Sequence, residues 1–258
     1  MAVLHDLEPT RQCAHDTTLA LSGVLANAEK ARLARSLARR LVESRVVVVD
    51  TSCLRLHNGV EPTIFSNALI RAGGWPAARL ILTGADARLK AALARSGVAR
   101  DVLLVDDVAH AHTYFHVRPQ RVARRLHLTS GRSSIPRAIA LVESLGLEWD
   151  VPADVIEDSR RTVRELVKNA IQHAHTASVL QVSSDPAGLR VAVRDFRAGE
   201  IGAPRYGLGL VSSVATDWGL IRRSDGKSVW ALLGNNPSEL TEGGAEWQGT
   251  LAIQEALS

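Results

Sequence analysis

In "AEKARLARSLARRLVES" apolar Leu33, Leu37 and Leu41 recur every fourth position, and Arg32, Arg35, Arg39 and Arg40 lie largely off that line. This spacing predicts an amphipathic helix with one face turned to a core. "RVVVVD" follows without alternation. A continuous β-branched run of that length suits a strand covered on both faces. "TTLALSG" upstream alternates weakly and reads as a first strand. Downstream the pattern repeats. A helix near "PTIFSNALIRAGG" precedes the strand "ARLILTG", and the helix "ARLKAALARSG" precedes the strand "DVLLVD". Strands alternating with helices imply βα units on a shared sheet.

"RPQRVARRLHLTSGRSS" breaks this rhythm. It is basic and polar and ends in Gly and Ser, so a domain boundary is expected near residues 118 to 125. The expected division is a first domain over 1–118, a second over 119–234 and a C-terminal extension over 235–258. "RRLHLT" reads as the first strand of the second domain. "SSIPRAIALVESLGL" reads as a helix with Ser133 or Ser134 as N-cap and Pro136 in its first turn. "VIEDSRRTVRELVKNAIQHA" is a long second helix. "SVLQVSSD", "LRVAVRD" and "KSVWALL" are strands, the first two joined by a turn at "SDPAG". Trp218 and Trp230 are expected in the core.

Composition narrows the class. The chain has 258 residues, enough for two domains, and 46% of them are apolar, enough for each to bury a core. With 31 basic against 27 acidic residues the formal charge is only +4, which does not call for nucleic acid. Arg121, Arg124 and Arg125 read as a solvated linker, without interleaved aromatics for stacking. Cys13 and Cys53 make no disulfide framework, and a reducing cytoplasm is the simpler expectation. Neither a signal peptide nor a membrane span is expected. His110, His112 and His116 do not have the spacing of a helical metal site.

The chemistry gathers in "ELVKNAIQHA". Leu166, Ala170 and Ala174 form an apolar seam, and Glu165, Asn169 and His173 recur at the same interval one residue earlier. Positions four apart on a helix stack on one another, so a carboxylate, an amide and an imidazole line the edge of the seam. Asn169 offers a neutral oxygen to a hard cation such as Mg²⁺, and Glu165 could accept a proton near a terminal phosphate. Downstream, "LRVAVRDF" ends in Asp195, where a carboxylate can accept the exocyclic amine of adenine. In "YGLGLVSSVA", Gly207 and Gly209 precede an apolar helical run and could let the backbone approach phosphate. Ser228 in "DGKSVW" could support the adenine-binding acid.

Taken together, residues 128 to 233 resemble the GHKL-type (Bergerat) ATP-binding domain of bacterial anti-sigma-factor serine kinases. "ELVKNAIQHA" stands as the N-box, Asp195 as the adenine acid and "GLGLV" as the second glycine box. The resemblance implies an α/β sandwich with a mixed sheet, binding ATP and Mg²⁺. It also implies Glu165 as general base, Asn169 as metal ligand, Asp195 as adenine ligand, and Gly207 and Gly209 at the phosphates. His173 is expected to pack or hydrogen-bond. Two departures stand out. The acid box reads "DFRAG", with Arg197 in place of the first glycine while Gly199 keeps the second. The stretch between Asp195 and Gly207, the lid of that family, is only eleven residues.

The first domain resembles a STAS domain, the βα sandwich of anti-sigma-factor antagonists, over residues 16 to 115. "LALSGVL", "RVVVVDTSCL" and "ARLILTGADARLKAALARSGV" carry the likeness. Phosphorylatable members place a serine before a glycine in the turn after the central strand. Here "LRLHNGVEP" places Asn58 before Gly59, and an amide cannot take phosphate. Thr51 and Ser52 are expected in the strand, a poor acceptor position. The implied function is a partner-switching regulator with an ATP-dependent serine kinase domain and a STAS domain that is not a substrate. Its partner would be a sigma factor or an antagonist protein, and a homodimer is compatible with it. The alternative is an inactive interaction scaffold with a vestigial ATP site.

Overall fold

The computed structural model describes residues 1–6, 16–174, 176–197 and 208–234. The chain divides into two compact units, Met1–Arg124 and the remainder from Arg125, and the division falls inside the basic segment.

The first unit carries β1 (Val3–Asp6), β2 (Asp16–Leu25), α1 (Lys30–Ser44), β3 (Val46–Asp50), β4 (Leu54–Leu56), α2 (Ile64–Arg71), β5 (Arg79–Thr83), α3 (Ala87–Arg95) and β6 (Leu103–Val105). The sheet order is β1-β2-β3-β5-β6, with β4 also paired to β2. The β2–β3, β3–β5, β5–β6 and β2–β4 pairs are parallel, whereas β1 pairs antiparallel to β2. Parallel neighbours need crossover connections, and α1 supplies one between β2 and β3. Leu33, Leu37 and Leu41 are buried as their spacing predicts, in one core with Val47, Val49, Leu80, Leu82 and Phe65. Val48 and Ile81 point the other way into a second cluster with Ala111. Both faces of β3 are therefore covered, which is why no polar residue interrupts Val46 to Val49. The histidine segment forms a 3-10 turn over Ala111–Tyr114. His110 Nδ1 lies 2.9 Å from Asp107 Oδ1, a contact that holds the Asp107 carboxyl below the usual carboxylate range. Among the described residues no cluster suits a metal ion.

The turn after β3 differs from expectation. The strand ends at Asp50, so Thr51 and Ser52 lie beyond it. Thr51 is buried, and its hydroxyl donates to the Thr83 carbonyl at 2.7 Å. Ser52 is exposed, and its N–H donates to Asp50 Oδ1 at 2.9 Å. A side chain closing a two-residue turn on its own backbone is the ordinary reason for a strand to stop at Asp.

The second unit carries β7 (Val122–Leu128, which begins just before the division), α4 (Ser134–Glu148), α5 (Ala153–Ala174), β8 (Ser178–Asp185), β9 (Gly188–Asp195), α6 (Leu208–Val214), β10 (Asp217–Arg223) and β11 (Gly226–Leu233). The sheet order is β10-β11-β9-β8-β7, with antiparallel pairing for β10–β11, β11–β9 and β9–β8. Ser133 takes the N-cap position of α4 without a side-chain cap bond, while the Ser134 hydroxyl donates to the Thr129 carbonyl at 2.8 Å. On β9, Leu189, Val191, Val193 and Asp195 alternate as buried residues, and α5 packs against β9 and β11. Gly146 lets α4 and α5 approach, since a Cβ there would stand 2.6 Å from Ile156 Cγ1. Trp230 is not in this core. It pairs with Ala192 and Gly219 on the other face of the sheet, with the Arg190 guanidinium 4.2 Å from its ring centroid. Among the described residues, no helix is long and apolar enough to cross a membrane.

Candidate functional site

Of the polar line expected on α5, Glu165 and Asn169 lie among the described side chains. Leu166, Val167 and Ala170 are buried, while Glu165 and Asn169 sit half-buried at the edge of that seam. Glu165 Oε2 accepts from Lys168 Nζ at 3.4 Å, three residues on. Asn169 Nδ2 is buried without a hydrogen-bond partner among the described residues. So are the hydroxyls of Thr162 and Ser159, about two and three turns earlier on the same helix. A buried polar atom left unpaired costs on the order of 1–3 kcal/mol, so three on one helix are an unusual concentration. The His173 side chain lies outside the described residues.

Asp195 ends β9 on the buried face with its side chain 4% exposed. Its Oδ1 accepts from the Arg197 N–H at 3.3 Å and the Lys227 N–H at 3.4 Å. Its Oδ2 faces Lys227 Nζ at 3.9 Å, and the Lys227 side chain is only 12% exposed. Ser178, also buried, lies directly across from Asp195 on β8. Gly226 makes this approach possible. It has φ +142°, and a Cβ there would lie 2.2 Å from the Asp195 carbonyl oxygen.

Ser228 does not join this group. It is in register with Arg194 on β9 and Ile221 on β10. Cross-strand partners share a face and successive residues alternate, so Ser228 faces away from Asp195. Lys227 takes the place expected of Ser228. Sequence reading passed over Lys227, although the alternation of β11 around buried Val229 and Ala231 carried the signal.

Gly209 lies inside α6 rather than before it, because the helix starts at Leu208. It is exposed, and a Cβ would meet nothing within 4 Å. Val211 turns into the core, and α6 packs on α5 and β10. Gly199 and Gly207 lie outside the described residues. α5 and β9 thus carry Glu165, Asn169 and Asp195 on elements that pack together.

No family model matches the chain, and no curated protein matches it. Two solved structures are similar in part. One is the crystal structure of the RsbU and RsbW domains of Rv1364c from Mycobacterium tuberculosis, with TM-score 0.36 and 17% identity, covering 43% of this chain and 33% of that one. The other is the anti-sigma factor antagonist SpoIIAA in its unphosphorylated form, with TM-score 0.32 and 10% identity, covering 43% of this chain and 94% of that one. This chain spans about a third of the first structure's length. At these scores neither likeness bears on function.

Proposed function

We propose that the second unit holds a magnesium nucleoside triphosphate, and that the protein is a partner-switching regulator of the anti-sigma-factor kind. The observation that carries the nucleotide reading is Asn169, half-buried on α5 with its amide nitrogen sealed and unpaired among the described residues. Such an amide is stabilised when a bound group completes its surroundings. The donor set fits the polar end of a nucleotide, with a neutral oxygen for magnesium and a carboxylate one turn earlier. When bound, the nucleotide would supply a transferable phosphoryl group. Glu165 would accept the proton of an incoming hydroxyl, and Lys168 would hold that carboxylate in place. The implied acceptor is a serine of a separate antagonist protein. Asn169→Ala is expected to weaken Mg-nucleotide binding at least about tenfold, the size of one lost metal or charge-assisted contact, with the fold intact by circular dichroism. Unchanged affinity in calorimetric titration would remove Asn169 from the site.

The motif resemblance supports a STAS-type docking module for the first unit, not phosphorylated at the Asn58–Gly59 turn. There Asn58 Oδ1 accepts from Arg88 Nη2 at 2.8 Å. The second reading, an inactive scaffold, is favoured by one observation. Asp195 already has an internal cation at 3.9 Å in Lys227. A scaffold would give no heat with any Mg-nucleotide.

A further inference from the structure

We infer that the first unit carries a binding site for a small monocarboxylate with a short apolar chain; the inference is independent of the nucleotide reading. The site is a cleft lying wholly within Met1–Arg124. It is lined from α2, the turn after α2, the starts of β5 and β6, and the segment 117–123. Counting its open mouth it holds about 430 Å³ of empty space, near the low end for small-molecule sites. Leu69, Ile70, Leu80, Leu103 and Pro119 give it an apolar wall. The Gly74 N–H donates to the Leu69 carbonyl at 2.8 Å, and the Ala78 N–H to the Gly74 carbonyl at 2.8 Å. The turn that carries Trp75 is therefore held in place by its own backbone.

The charged lining residues are Arg79, Asp101 and Arg121. Asp101 accepts from Arg121 Nε at 2.6 Å, from Arg121 Nη2 at 2.8 Å and from the Ser66 hydroxyl. That ion pair is complete. Arg79 has no such counterpart. It is half-buried at the start of β5, no ion pair involves it among the described residues, and its Nε is buried without a hydrogen-bond partner there. Trp75 Nε1, in the same lining, is also buried and unpaired among the described residues. Both groups only donate, so an acceptor completes them. A cation half-withdrawn from water favours a charged acceptor over a neutral one. The Arg118 guanidinium, 5.5 Å from the Trp75 ring centroid, adds to the positive field. One unmatched cation calls for one negative charge, and a planar two-oxygen head matches the guanidinium fork. An apolar wall beside it calls for a hydrocarbon body. A carboxylate on a short alkyl chain has all three properties.

The test is a nuclear magnetic resonance titration of the full chain with its five tryptophans labelled at the indole nitrogen. The Trp75 signal is assigned by its loss in Trp75→Phe. Hexanoate is expected to shift that signal saturably. Butyrate and acetate should bind progressively more weakly, by up to roughly fourfold for each methylene no longer buried. Hexanamide, the neutral isostere, should bind about tenfold or more weaker than hexanoate, the worth of one charge-assisted contact. In Arg79→Met, which keeps an apolar stem, the two should bind alike. Hexanamide binding wild type as tightly as hexanoate would overturn the inference. So would acetate binding as tightly as hexanoate, or a preference for the acid that survives in a folded Arg79→Met. No saturable shift of the Trp75 signal with any of the acids would overturn it outright. Should Arg79→Met fail to fold, the wild-type series alone decides.

Discussion

Thr162 shows most plainly how much of this molecule is decided by single side chains. It is fully buried on α5, its hydroxyl has no partner among the described residues, and its neighbour Val163 is ordinary core. Valine has the same shape without the unpaired group. If the hydroxyl serves nothing, Thr162→Val should stabilise the second unit by about 1 kcal/mol, since an unmade bond is more costly than an absent one. Equilibrium denaturation measures this, and a destabilised variant would show that the hydroxyl finds a partner. Asn169 presents the contrary case, because its amide, unpaired among the described residues, lies at the edge of the core. Replacing it should change nucleotide affinity more than stability.

Among the elements, β11 has the most consequence for the site. Its start is set by Gly226, whose φ of +142° is open to few other residues and whose missing Cβ admits the Asp195 carbonyl. Gly226→Ala should cost roughly 2 kcal/mol or more through strain and overlap together. A thermal melt unchanged from wild type would contradict the register assigned to the β9–β11 pair. This strand also shows where sequence reading stops. The helical spacing of Leu33, Leu37 and Leu41, the run Val46 to Val49 and the long apolar seam of α5 were legible, because each follows from a period and a buried face. The expectation for Ser228 falls one residue out of register: a one-residue difference reverses every side chain, and the alternation that settles it runs through Val229 and Ala231 further along β11. Trp230 was misjudged for the same reason, and an arginine stacks on it outside the core. β1 was missed because four residues carry too little pattern.

At the scale of the whole molecule, two units of different sheet type share one chain. The first builds a mostly parallel sheet covered on both faces, and the second an antiparallel one with α5 on its buried face. Fold does not dictate function, so the claim that matters concerns the second unit's site. Hydrogen exchange followed by mass spectrometry on the full chain, with and without saturating Mg-GTP or Mg-ATP, tests it most directly. Bound nucleotide should slow exchange in peptides spanning 159–172 and 190–197, and leave α1 to α3 unchanged. Identical exchange in those peptides with and without either nucleotide would contradict the account.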